Sequence, residues 1–322
     1  MFKHIGFNKS LQLWSIHDTD TSDNNKLSLQ FWDNNTHNVT VAKNLSNIFN
    51  FSVPMTVYIS SCGRWDHLIN TIKSFEKQNT YQYIVKRFVM DDSIDFDGLQ
   101  ATMKTINNHL ISVYGGNSLI QYEYYSTEQA LLSLSNNTNV KIEQSGRTRL
   151  YKSKDETYRK YIDTEWVFYT QEDFFFYKPY FIEKSLAIHF HCINNPKLHW
   201  PIYNVHLVRL VRRPTKIHNM HYGRFNMSVL HNVTIAKNYN VSYYVGRYPR
   251  NNCFVSYSNW PSVVSKSKYY IIDRHARFGD ERQIACFFLK KLHITGAIMP
   301  GDGFVEHTGL SDSLIGTNWL AL

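Results

Sequence analysis

The hydrophobic positions change period along the chain, and each change marks an element. Val53, Met55, Val57 and Ile59 alternate with other residues, as in a strand, and Ser60-Ser61-Cys62-Gly63 ends the run as a turn. Leu68, Ile72 and Phe75 then fall on one helical face. A second strand, Tyr83 to Met90, runs into Asp91-Asp92-Ser93. Leu99, Met103, Ile106, Leu110 and Val113 step by fours and threes, and Gly115-Gly116 stops that helix. A strand from Leu119 to Tyr125, a helix from Thr148 to Ile162 and a strand from Glu165 to Thr170 follow, the last leading into Gln171-Glu172-Asp173. Pro179 is placed in the first turn of a helix that finishes near Asn194-Asn195-Pro196. Beyond residue 197 the pattern loosens until a helix from Asp280 to Lys291 and a strand from Ile294 to Met299.

Strands alternating with helices give βαβ units and an α/β fold with a mainly parallel central sheet flanked by helices. Residues 1–52 are polar and Asn/Asp-rich and read as an N-terminal extension with a hairpin. The remainder divides into halves at 53–178 and 179–322, packed as one domain, the second half forming a smaller subdomain.

Length and composition narrow the class. At 322 residues with 43% hydrophobic residues, the chain can bury a large core and is not disordered. No run of ~18 apolar residues exists to span a bilayer, and the first residues lack a signal-peptide core, so a soluble, cytoplasmic protein is expected. The net charge of +9 favours anionic partners and is compatible with peripheral membrane contact. Its basic residues are dispersed apart from Arg209, Arg212 and Arg213, so nucleic acid is not the expected partner. Cys62, Cys192, Cys253 and Cys286 form no CxxC pair and read as thiols in a reducing compartment. Asn-x-Ser/Thr triplets, as at Asn38 and Asn232, read as by-products of an Asn-rich composition.

Candidate chemistry lies at the strand ends. In open α/β sheets, ligands bind beyond the carboxyl ends of the parallel strands. Three expected strands end in polar clusters: Ser60-Ser61 with Arg64, Asp91-Asp92-Ser93, and Gln171-Glu172-Asp173. Ordinary turn chemistry also favours such residues, but three clusters at one edge point to a ligand crevice. Adjacent Asp91 and Asp92 point opposite ways in extended chain, so at most one faces a ligand. Glu172 and Asp173 offer oxygen ligands for Mg2+ or Mn2+. Asp280 and Glu281 open a helix, where they either complement its dipole or supply a general base. His307 lies in a terminal loop before Gly309, as a structural residue or a ligand.

The run from Met55 through Ser60-Ser61-Cys62-Gly63-Arg64 to Phe75, followed by Phe88-Val89-Met90-Asp91-Asp92-Ser93, resembles the opening of family 2-type glycosyltransferases with the GT-A fold. Tyr158 to Tyr177 is similar to a subgroup whose strand ends in a Glu-Asp-Asp-Trp-like metal motif. Asp280-Glu281 through Val305-Glu306-His307-Thr308-Gly309 resembles the family's acceptor helix and terminal His-x-Gly loop. The resemblance covers roughly residues 53 to 310 and implies a Rossmann-like, GT-A-like domain. It implies transfer of a sugar from a nucleoside-diphosphate sugar to a glycan or other hydroxyl acceptor, inverting and metal-assisted by Mn2+ or Mg2+. Position by position, it places Ser60, Ser61 and Arg64 at the nucleotide base, and Asp91, Asp92 and Ser93 at base and ribose. Asp173, with Glu172 and His307, matches the metal and diphosphate residues, and Glu281, with Asp280 the alternative, the base. The chain departs from the pattern at Gln171, which replaces an acid. The alternative is therefore a catalytically inactive carbohydrate- or nucleotide-binding module on the same scaffold.

Overall fold

The structure is a computed structural model that describes residues 2–8, 13–19, 51–93, 95–115, 120–127, 146–195, 204–210, 231–236, 239–245, 259–269, 275, 278, 281–299 and 303–308. In chain order the strands and helices are β1 (Phe2–Asn8), β2 (Leu13–Thr19), β3 (Met55–Ser61), α1 (Trp65–Gln78), β4 (Ile84–Asp91), α2 (Phe96–Tyr114), β5 (Glu123–Ser126), α3 (Gly146–Lys160), β6 (Trp166–Gln171), β7 (Phe174–Phe176) and α4 (Phe181–Asn194). They continue with β8 (Asn204–Arg209), β9 (His231–Ala236), β10 (Tyr239–Val245), β11 (Ser262–Ser265), α5 (Lys266–Tyr269), α6 (Glu281–Lys291), β12 (Ile294–Ile298) and β13 (Val305–His307). The N-terminal hairpin is β1 against β2, with Ile5 opposite Ile16.

A nine-stranded sheet, ordered β5-β4-β3-β6-β11-β8-β12-β10-β9, forms the centre. The run β5-β4-β3-β6 is parallel throughout, as the helical crossovers between these strands require. β11 and β10 are antiparallel to their neighbours, so seven of the nine described strands share one direction. The sheet crosses residue 178 without a break, because β6 pairs with β11 and β11 with β8.

Alternation on β3 builds both faces. Met55, Val57 and Ile59 enter one core with Leu68, Ile72 and Phe75 of α1, Leu99, Met103 and Ile106 of α2, and Phe181 and Leu186 of α4. Tyr58 points the other way, into a second core with Tyr158 of α3 and Ile284 and Phe288 of α6. The result is helix, sheet and helix in three layers. Each fully buried aliphatic side chain contributes about 1.5–3 kcal/mol, and all seven β3 residues are buried, so this strand anchors the fold. One ion pair sits inside it: Arg87 Nε on β4 donates to Glu76 Oε1 on α1 at 2.9 Å, and Tyr122 Oη donates to the same oxygen at 2.7 Å.

Several expected boundaries move. α4 begins at Phe181, after Tyr180 in a left-handed conformation (φ 63°), so Pro179 precedes the helix instead of occupying its first turn. Its residues from Phe181 to Phe190 are all buried, including Glu183, Lys184 and His189, as befits a helix packed on several sides. The expected strand at Leu119 begins only at Glu123. Cys62 and Cys192 are free thiols, as expected, but Cys286 carries a disulfide whose partner lies outside the described residues. Sequence distance alone does not bar such a bond once the fold brings two sulfurs together.

Candidate active site

Register brings the three strand ends level. Ser61 of β3 pairs with Asp91 of β4, and Ser60 with Gln171 of β6. The ladder extends one residue further on each side: Asp92 N donates to Ser61 O at 2.7 Å and Glu172 N to Ser60 O at 3.0 Å. Cys62-Gly63-Arg64, Asp92-Ser93 and Glu172-Asp173 therefore leave the sheet at one edge.

The first turn depends on Gly63, which has φ 75°; a Cβ there would lie 3.2 Å from the Ser93 Cβ. Asp91 is 1% exposed and braces this turn, accepting from Gly63 N at 3.2 Å, from Ser93 N at 3.0 Å and from the Ser93 hydroxyl. Burial raises its pKa, and hydrogen bonds from Ser93 and Gly63 oppose the rise. Asp91 thus holds the loop together, and half-buried Asp92, which accepts from the Thr127 hydroxyl, is the member of the pair nearer to solvent. Ser60 and Ser61 are both buried.

Arg64 turns inward. Its Nε donates to Glu172 Oε1 and its Nη2 to Asp173 Oδ2, each at 2.9 Å. The guanidinium thus bridges the two acids across the edge. Burial pushes the Glu172 carboxyl up to about 7, and Arg64 pulls the other way. Burial also works to raise Asp173, but hydrogen bonds and charge from His307 and Arg64 outweigh it and leave its pKa lowered.

His307 reaches the site through pairing. β13 runs antiparallel to β7, with His307 opposite Phe174, and its Nε2 lies 2.9 Å from Asp173 Oδ2. Thr308 N donates to Asp173 O at 2.8 Å. On the other side, the Thr71 hydroxyl of α1 lies against the carbonyls of Glu172 and Phe174, fixing the turn that presents the acids.

The expected three-ligand metal set is not assembled as a cage. Among the described residues no group of three or more His, Cys, Asp and Glu side chains is placed to hold a metal ion. Arg64 supplies a counter-charge to both Glu172 and Asp173 at this edge. Asp173 keeps one oxygen for a cation: its Oδ1 is buried without a hydrogen-bond partner. One free carboxylate oxygen beside an imidazole suits an ion of the Mg2+ or Mn2+ type, which commonly takes one or two protein carboxylates and completes its shell with substrate phosphates and water.

Glu281 opens α6, and its Oε1 accepts from Asn259 N at 2.8 Å. Asp280 lies outside the described residues. Trp260, which follows Asn259, has its ring 6.5 Å from that of His307 at an interplanar angle of 19°, and also faces Phe174. The Asn259–Trp260 segment therefore touches both Glu281 and the His307 side of the site. Sequence reading missed the roles of this segment, of Thr71 and of Thr308, because isolated residues carry no periodic signal of their own.

No protein-family model matches the chain, and no curated protein matches it. Among solved structures, it is similar to a mannosyltransferase from Pyrobaculum calidifontis in complex with GDP-Man and Mn2+, at 9% identity and a TM-score of 0.47, over 85% of this chain and 65% of that one. It is also similar to glucosyl-3-phosphoglycerate synthase from Mycobacterium tuberculosis in complex with Mn2+ and uridine diphosphate, at 11% identity and a TM-score of 0.42, over 86% and 78% of the two chains. A third is mannosyl-3-phosphoglycerate synthase from Rubrobacter xylanophilus, at 12% identity and a TM-score of 0.38, over 83% and 72%.

Proposed function

We propose that this protein is a glycosyltransferase that moves a sugar from a nucleoside-diphosphate sugar to an acceptor hydroxyl. The observation that carries the reading is the meeting of Arg64, Asp92, Asp173 and His307 at the carboxyl edge of the parallel strands, where open α/β sheets bind nucleotides. The resemblance of residues 53 to 310 to family 2-type glycosyltransferases points the same way.

In this reading Asp92 and the Ser93 turn receive the ribose and base, and the Arg64, Asp173 and His307 group faces the diphosphate. A bound Mn2+ or Mg2+ would neutralise the departing diphosphate, with Asp173 and His307 the residues that would hold it. Glu281 takes the proton from the acceptor hydroxyl as that oxygen attacks the anomeric carbon. The diphosphate leaves from the opposite face, and one base opposite one leaving group gives inversion. Acceptor choice then falls to the loops of the 179–322 half.

The test is turnover with a panel of nucleotide sugars, comparing wild type with Glu281→Gln. Loss of about 100-fold or more in kcat with unchanged nucleoside-diphosphate affinity is expected. Wild-type turnover in the variant removes Glu281 from the mechanism. A second reading, an inactive nucleotide- or carbohydrate-binding module, is favoured by Gln171 and by the engagement of both acids with Arg64. It predicts nucleotide binding with no transfer or donor hydrolysis for any sugar, with or without Mn2+.

A further inference from the structure

Lys154, on α3, is 2% exposed. Its Nζ lies 3.6 Å from the Tyr169 ring centroid and 5.7 Å from that of Tyr269, with Tyr58 and Tyr158 in the same core. An ammonium is an expensive filling for such a place, because burying a charge costs several kcal/mol and an aliphatic side chain would occupy the volume without that penalty. Burial accordingly drops its pKa to about 7, against the pull of Glu281 and Asp155. What the ammonium does there is specific: it donates to Asn259 Oδ1 at 2.9 Å. Asn259 in turn gives its own backbone N–H to Glu281 Oε1 at 2.8 Å.

We propose that Lys154 is a positioning residue for Glu281: by gripping the Asn259 side chain it fixes the segment whose N–H aims the Glu281 carboxylate and whose next ring, Trp260, lies beside His307. The inference rests on Glu281 being the base proposed above. Three parts of the molecule that share no sequence neighbourhood meet at Asn259: α3, the start of α6 and, through Trp260, the terminal strand β13. A base must stand within hydrogen-bond reach of the proton it removes, and a displacement of about 1 Å can cost about 100-fold in rate. A lysine held by an aromatic ring on one side and an amide oxygen on the other suits that task better than a surface contact, because neither partner can swing into solvent.

Lys154→Met keeps the aliphatic stem and removes the ammonium. Its kcat is expected to fall about 10- to 100-fold, while the donor KM and the nucleoside-diphosphate affinity stay at wild-type values. In a Glu281→Gln background the same change should cost nothing further, since two residues acting through one function are not additive. Amide hydrogen exchange at residues 259–260 should quicken by about tenfold or more in the single variant. Unchanged kcat, a loss that multiplies with that of Glu281→Gln, or unchanged exchange overturns the proposal. Should Glu281→Gln keep its turnover, the base reading falls, and exchange at 259–260 still decides whether Lys154 holds the segment. If Lys154→Met does not fold, Asn259→Ala removes the same grip from the acceptor side and must show the same split between kcat and KM, or the proposal fails.

Discussion

Removing Arg64 isolates the electrostatics of the site in one substitution. Arg64→Met keeps much of the side-chain volume and takes away a guanidinium that bonds two acids at 2.9 Å. The acidic side chains are only 3% and 7% exposed, while that of Arg64 is 18% exposed. Deleting one member of a buried ion pair costs about 3–5 kcal/mol, chiefly because the remaining charge is stranded. The partial exposure of Arg64, and His307 still beside Asp173, put this case near the lower end, at about 3 kcal/mol. For 322 residues the unfolding entropy is about 0.7 kcal/mol per kelvin, so the melting temperature should fall by about 4–5 °C. Differential scanning calorimetry at pH 8, with and without Mn2+, is the assay. Because the vacated place lies between two carboxylates, Mn2+ should raise the melting temperature of Arg64→Met more than that of wild type. A variant within about 0.5 kcal/mol of wild type would mean that the acids need no internal counter-charge, and the electrostatic account of this edge would be wrong.

Glu76→Gln strips the charge that faces the buried Arg87 and should cost about 3 kcal/mol in urea denaturation, with no direct effect on nucleotide affinity. Glu183, on α4, has its carboxyl pushed by burial from an ordinary value of 4.5 up to about 7. The native state therefore holds that proton more tightly than the unfolded chain, a contribution fully present below about pH 4.5 and lost as pH rises through 7. Glu183→Gln should flatten this decline in denaturation curves taken from pH 5 to pH 8, and an identical decline in both proteins would contradict it. Gly63→Ala places a Cβ at φ 75° against Ser93 and should lower stability by about 1–2 kcal/mol while loosening the Asp91 turn, visible as weaker nucleoside-diphosphate binding by calorimetry.

The parallel part of the sheet was readable because its signals are local. Alternation at Val53 to Ile59 and the four-and-three steps from Leu99 to Leu110 each commit to one period, and β3 and α2 follow within a few residues. The polar strand ends were readable as an edge, since parallel strands must terminate together. What each side chain does there was not. Whether Asp91 or Asp92 turns inward depends on Gly63 and Ser93 closing around it, and Arg64 reaches Glu172 across a separation of 108 residues. The strands β8 and β11 were missed because their partners are distant in sequence and mixed in direction, and β9 and β10, though a local antiparallel pair, lie in a stretch without βαβ spacing. The disulfide at Cys286 was missed for the related reason that thiol proximity is a property of the fold, not of spacing.

The two-stranded pairing of β7 with β13 ties residue 307 to a carboxylate 134 positions earlier. Contacts of such long range close late, since the chain between them must first be ordered. During synthesis the parallel strands β3 to β6 can all have emerged from the ribosome while this imidazole is still unmade. A chain interrupted between residues 173 and 307 carries the turns of this edge but lacks the histidine that shares Asp173.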